Sequence, residues 1–368
     1  MRERADVVLI GGGFAGAATA YFLAQRGVRD VAIVEREAVC GYHASGRNAA
    51  LGRQLVEDDQ VTELTVRGAA FLRHPPPEFS DAPLLSASGS VLVCATAGDQ
   101  HALMDRARGH GIPAEPISMD NLFSRWPRLR GMPGHGAVFF PTDGVIDVHA
   151  LLQGYLAAAR AGGAAVTTGC EVTAIGDGPE GARVDTSLGP IDARVVAICA
   201  GAWADEVATR AGVPARSLTP IHRHLFVSQP AADLDREAPF VWHLGDELYV
   251  RPEGAGYLMS SCDETVAPPG DAQVMPGARE HLAAKLCRVA PAFGDLGIAR
   301  AWACLRTFAP DGRPVIGPDD RRPWLHWVAG LGGHGATASA AVGELAAAGI
   351  YEQLSLCRRR PTLPGSAP

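Results

Sequence analysis

The chain opens with a pattern that leaves its first segment few options. An apolar strand (Val7 to Ile10) meets a glycine turn (Gly11 to Gly16) that leads into an alanine-rich helix, Phe14 to Gln25. After a break at Gly27 comes a second apolar run, VAIVE, ending on Glu35. Strand, turn, helix and strand in that order make one βαβ unit of the dinucleotide-binding kind. Gly11 is expected to permit the tight turn, Gly13 to let backbone approach a pyrophosphate, and Gly16 to let helix and strand pack closely. Free N–H groups at the helix start, about Phe14 and Ala15, and the positive end of its dipole suit the phosphates. Glu35 stands nineteen residues after Gly16. There its carboxylate can accept from both hydroxyls of an adenosine ribose and would repel a 2′-phosphate, which disfavours NADP.

The 368 residues are too many for one such unit; at 47% hydrophobic and 20% charged they can bury a sizeable core, expected as two interleaved domains. A formal charge of −7 and a pI near 5.9 argue against nucleic acid or an anionic membrane as main partner. Residues 1–6 lead straight into the first strand, leaving no room for a signal peptide, and no apolar run reaches membrane-spanning length. The expectation is a cytoplasmic protein without a transmembrane segment. The eight cysteines are scattered without a CxxC pair, and the twelve histidines show no HExxH spacing, so neither disulfides nor a metal is expected.

Further along, GYHASGRNAAL (Gly41 to Leu51) reads as a small-residue loop followed by a helix start, and Val61 to Phe71 is helical until the proline-rich stretch from His74 breaks it. Ser88 to Ala95 reads as a strand, the segment to Gly111 as a helix, and Pro116 to Pro133 as mixed loop. Asp147 is placed to cap a helix with apolar positions at Leu151, Leu152, Tyr155 and Leu156, ended by Gly162 and Gly163. Val166 to Val172 and Arg194 to Cys199 read as strands, the second followed by the AGAW turn. Strands are also expected in IHRHLFVS, ELYVRPEG and ARAWACLRTF, and a glycine turn at 332 to 335 opens a long small-residue helix. The tail 358–368 is expected to be disordered.

Taken together, GGGFAG with Glu35 and Arg36, GYHASGRNAAL, AGAW, WACLR followed by PDGRPVIG, and GLGGHG resemble the D-amino acid oxidase superfamily of FAD enzymes. The resemblance is closest to its D-arginine-type dehydrogenase and glycine oxidase branch. It implies a mixed α/β fold: a Rossmann-like FAD-binding domain (1–80, 141–215 and 300–357) interleaved with a mixed-sheet substrate domain (81–140 and 216–299). It puts the adenine half of FAD on Gly11, Gly13, Phe14, Ala15, Gly16, Glu35 and Arg36, with Glu171, Val172, Ala200, Gly201 and Trp203 nearby. The flavin ring would lie beside Ser45, Gly46, Arg47, Asn48, Ala49, Ala50 and Leu51, and beside Gly332, Gly333, His334 and Gly335. Backbone N–H groups of that last turn would stabilise charge on a reduced flavin; His334 either bonds the ring or fills a helix cap.

Alternation along ARAWACLRTF puts Trp302, Cys304, Arg306 and Phe308 on one face. A guanidinium there is costly without an anion, and the resemblance makes Arg306 the anchor of an amino acid carboxylate, close to the flavin; the alternative is an ion pair with an internal acid. Tyr249 and Arg223 match the family as its helpers, against a core tyrosine and an exposed edge charge. Relatives that take basic D-amino acids have an acid where this chain has Ser90, and histidine and tyrosine where it has Leu51, Gly52 and Val56, so the loop after Leu51 is expected to be more apolar than theirs. The expected substrate is therefore a neutral or apolar D-amino acid, oxidised by hydride transfer to give a 2-oxo acid and ammonia. The alternatives are a secondary amine, as in sarcosine and glycine oxidases, or a flavin-carrying subunit of a multi-protein dehydrogenase. Electrons would pass to oxygen or a quinone. FAD is expected to be non-covalent, with a covalent link through Cys304, seven residues before Asp311, as the alternative.

Overall fold

The computed structural model describes residues 2–358. Its first sheet grows from the βαβ unit. Strand Arg4–Ile10 pairs in parallel with Val31–Val34 on one side and Gly189–Ile198 on the other, and Ala165–Thr167 and Leu325–Ala329 extend the parallel array. Strands Val172–Gly178, Gly181–Thr186 and Val315–Pro318 add antiparallel pairs. The apolar runs of the central strands are buried on both faces, as covered parallel strands require. Val7 and Leu9 pack against residues of helices Phe14–Gln25, Val148–Ala161 and Ser339–Arg358, whereas Val8 and Ile10 face Ala204, Val207 and Trp327.

The second sheet runs Ile298–Phe308, Thr219–Ser228, Gly256–Ser260, Leu248–Glu253, Phe240–His243, Ser90–Cys94, Gly136–Phe140, Glu115–Ser118. It is antiparallel except where Phe240–His243 runs parallel to Ser90–Cys94. One face packs on helix Ala278–Val289; the other carries Leu225, Trp242, Tyr249 and Cys304. The connecting segments pair as a small third sheet of Leu51–Gly52, Gly144–Ile146 and Leu85–Ser86. No helix among the described residues is long and apolar enough to cross a membrane.

The expected helix Phe14–Gln25 forms with those bounds. Asp147 caps the helix Val148–Ala161, its carboxylate accepting the Ala150 N–H at 2.8 Å. Other expectations need correcting. No helix starts in Gly41 to Leu51: the segment is a series of turns, and the next helix, Asp59–Arg73, begins where the Asp58 carboxylate accepts the N–H groups of Gln60 and Val61. Val166 to Val172 is not one strand, because Glu37 and Glu35 carbonyls capture the N–H groups of Gly169 and Cys170 and turn the chain between Ala165–Thr167 and Val172–Gly178. The mixed region 116–133 contains helix Met119–Arg125, started by Ser118. The last helix is regular only from Ser339, although its first bond, Ala338 N–H to His334 O, already forms at the glycine turn. Arg358 closes that helix rather than starting the tail, and 359–368 lie outside the described residues.

Candidate functional site

The glycine cradle shows why each position excludes a side chain. Gly11 has φ +113°, and a Cβ on it would stand 2.4 Å from the Cys199 carbonyl oxygen. A Cβ on Gly16 would stand 2.0 Å from the Gly11 carbonyl oxygen, the close approach of helix and strand that the motif predicts. A Cβ on Gly13 would meet Ser45 Oγ at 2.9 Å, so this glycine also makes room for the loop that follows the βαβ unit. Ser45 Oγ in turn accepts the Phe14 N–H at 3.0 Å. The Glu35 carboxylate accepts the N–H groups of Gly12 at 2.7 Å and Glu37 at 2.9 Å, which holds it at the mouth of the turn with lone pairs to spare. Beside it the Arg36 guanidinium lies over the Trp203 ring at 4.4 Å.

From this cradle a long cavity runs along the ends of the central strands to the turn before the last helix. Every sequence-predicted cofactor residue lines it except Gly16, which is packed against Gly11, and Gly46, whose Cβ would strike the Gly41 carbonyl oxygen at 2.5 Å. The loop 41–51 owes its shape to distant side chains. Arg251 Nε donates to Ala49 O at 2.8 Å, Trp302 Nε1 donates to Arg47 O at 2.9 Å, and Asn48 Oδ1 accepts the Ala50 N–H at 2.8 Å. These bonds hold Ala50 at φ +59°, a left-handed conformation that a non-glycine residue adopts only under constraint.

At the far end, Arg306 faces the cavity, its Nη1 2.9 Å from where a Gly333 Cβ would lie. Among the described residues no group hydrogen-bonds or ion-pairs with it. Tyr249, Cys304 and Cys262 surround it, all neutral at physiological pH because burial pushes each of them up. The nearby acid, Glu264, is committed to Arg223 at 3.2 Å. Tyr249 and Arg223 do not line the cavity; they are buried on the same sheet face, and among the described residues the Tyr249 hydroxyl and Arg223 Nε and Nη1 have no hydrogen-bond partner. Arg223 is thus not an exposed edge charge, since its strand is flanked by Ile298–Phe308 and Gly256–Ser260. His334 lines the cavity, and burial together with Arg53, Arg306 and Arg223 pushes its imidazole down to about 4, so it is neutral.

Two corrections concern specificity. Ser90 is fully buried and donates to Asp143 Oδ2 at 2.7 Å, so it does not present itself to a ligand. The loop after Leu51 is not apolar at the cavity: Arg53, which the sequence reading passed over, lines it with its guanidinium 4.8 Å from the Trp242 ring centre.

A cavity that joins a glycine turn, with an acid at its mouth, to a second glycine turn before a helix has the form that an extended dinucleotide such as FAD would need. Comparison with known proteins agrees. The family model described as FAD dependent oxidoreductase (DAO) matches residues 6–348. Glycine oxidase of Geobacillus kaustophilus is 26% identical, with 94% of this chain and 93% of that protein covered. Its crystal structure superposes with a TM-score of 0.83 over 95% of both chains. The L-proline dehydrogenase of P. horikoshii shares the fold, with a TM-score of 0.85 at 22% identity over 94% of this chain and 93% of that one. Mouse mitochondrial dimethylglycine dehydrogenase is 26% identical over 93% of this chain, which spans 42% of that longer protein. The chain belongs to the FAD-dependent oxidoreductases of the DAO family.

Proposed function

We propose that this enzyme oxidises an amino acid, or an amino acid substituted on nitrogen, at its Cα–N bond. The observation that carries the reading is Arg306, a guanidinium facing the cavity without a counter-ion among the described residues, whose fork matches a carboxylate. Tyr249 and Arg223, with orphaned donors on the same sheet face, support that anchor. The glycine oxidase and dimethylglycine dehydrogenase relatives favour glycine-derived amines over the D-amino acid reading, which stays as the second arm of the test.

The carboxylate held by Arg306 orients the Cα–H bond, converting an encounter into a fixed geometry. FAD, when bound, supplies the two-electron acceptor for the hydride that leaves this carbon. The acids lining the cavity, Glu35, Glu171 and Glu206, stand at its nucleotide end, and His334 is too weak a base to keep a proton. The amine proton therefore goes to water, helped by the cationic surroundings that disfavour an ammonium. The resulting imine takes up water and gives a carbonyl compound plus ammonia or a smaller amine. The electrons leave to oxygen or a quinone. Attachment of FAD is non-covalent in this reading: Cys304 is buried and its thiol is pushed up, the reverse of an activated thiolate. The division into a cofactor domain (1–80, 141–215, 300–357) and a substrate domain (81–140, 216–299) belongs to the same proposal. Two large sheets support it, although strand Ile298–Phe308, which carries Arg306, pairs into the second.

The test is anaerobic bleaching of the visible flavin absorbance by glycine, N-methylglycine, N,N-dimethylglycine and both enantiomers of common amino acids, each against the amine that lacks the carboxylate. Bleaching only by the carboxylates is expected. Equal bleaching by the plain amines, or none by any compound, overturns the proposal.

A further inference from the structure

We infer that the substrate carries a second carboxylate, received by Arg53 while Arg306 holds the first. Its chemical class is an aminodicarboxylic acid or an amino acid bearing a carboxyalkyl group on nitrogen. This rests on the amine oxidation proposed above and adds the side-chain chemistry.

Arg53 is built into the site rather than draped over it. Its side chain is 5% exposed, lies on the Trp242 ring and lines the same cavity as Arg306. The adjoining residue is fastened from behind: Asp143 Oδ1 accepts both the Gln54 N–H and its side-chain amide, at 3.1 and 2.9 Å. Arg53 does have an acid, Glu57 at 3.0 Å, but that carboxylate is 74% exposed and its attraction is screened by water. Arg53 Nε is buried with no partner among the described residues. Asp143 gives its oxygens to Gln54 and Ser90, and Glu247, an exposed residue, accepts the Trp242 indole N–H at 3.3 Å.

The same imbalance recurs around it. Arg223 is 3% exposed, whereas its acid Glu264 is 66% exposed. Arg306 has no acid among the described residues. All three guanidinium charges act on one imidazole, that of His334. Buried cations whose counter-ions face solvent are costly, and one carboxylate at Arg306 leaves the Arg53 charge without a buried counter-ion. A second carboxylate in the cavity supplies one. A basic side chain would be repelled here, and a neutral one would gain nothing from Arg53.

The experiment compares kcat/KM for acid and amide pairs in the intact flavoenzyme and in R53Q and R53K. The pairs are aspartate against asparagine, glutamate against glutamine (both enantiomers), and N-carboxymethylglycine against its monoamide. In wild type the acids are expected to exceed the amides about 10- to 100-fold, the worth of one charge-assisted hydrogen bond. R53Q should erase that preference by lowering kcat/KM more on the acids than on the amides, and R53K should restore part of it. Wild-type preference for the amides, or an equal loss on acid and amide in R53Q, overturns the inference and leaves amine oxidation standing. A second measurement needs neither turnover nor a variant: visible difference spectra with malonate, succinate and glutarate against acetate and propionate. Tighter binding of a dicarboxylate is expected, and equal binding overturns the inference. Should no compound bleach the flavin while succinate still binds preferentially, the proposed reaction fails and the two-carboxylate site does not.

Discussion

Replacing Arg306 by glutamine separates a ligand anchor from a structural ion pair, because the two roles predict stability changes of opposite sign. As an anchor, the guanidinium makes two parallel charge-assisted hydrogen bonds to the substrate carboxylate, each worth about 1.5–3 kcal/mol. Losing both costs about 3–6 kcal/mol, or roughly 10²- to 10⁴-fold in kcat/KM. KM should rise because the ground state is held by the same bonds, and kcat should fall because the Cα–H bond is less well aimed. Stability should move the other way. Arg306 has no acid to abandon, and Arg223 and Arg53 lie within electrostatic reach of the same pocket, so R306Q removes a repelling, partly desolvated charge. Denaturant unfolding of the flavin-loaded proteins at equal occupancy is expected to show R306Q as stable as wild type or more so. A destabilisation of about 3–5 kcal/mol, the cost of breaking a buried pair, would refute the reasoning, as would unchanged kcat/KM.

Gly16→Ala places a methyl 2.0 Å from the Gly11 carbonyl oxygen, so helix and strand must part; purified protein should lose most of its bound flavin and some 1–3 kcal/mol of stability, read from absorbance ratio and unfolding. Tyr249→Phe removes a buried hydroxyl that has no hydrogen-bond partner among the described residues, so stability should hold or rise, whereas kcat/KM for carboxylate substrates should fall about tenfold or more. Asp143 has its carboxyl pushed by burial from 3.8 up to about 6, so the folded state binds the extra proton between those values and its contribution to stability declines as pH rises through that window. The stability difference between wild type and D143N should shift against wild type by about 2.5 kcal/mol from pH 4 to pH 7, most of a full shift of two pK units at about 1.4 kcal/mol each; a pH-independent difference would contradict it.

What could be read from the sequence were the features whose constraints are local. Gly11, Gly16 and Glu35 sit on one βαβ unit, where a strand, its turn and the following helix impose their needs within a few dozen residues, and the helix Phe14–Gln25 formed where the pattern put it. Arg306 was legible because alternation along a strand places it among apolar neighbours whichever sheet that strand joins. Tertiary structure decided the rest. Loop 41–51 lacks the expected helix because Arg251 and Trp302, about two hundred and more residues away, tie its carbonyls into another shape. Ser90 turns to Asp143 instead of the ligand, and Arg53 enters the cavity because Trp242 and Asp143 arrive from other strands and loops to receive it and its neighbour. Backbone turns and periodicity are enforced by neighbouring residues, so sequence alone carries them. The burial of a charge depends on which remote groups surround it, and only the folded chain supplies those.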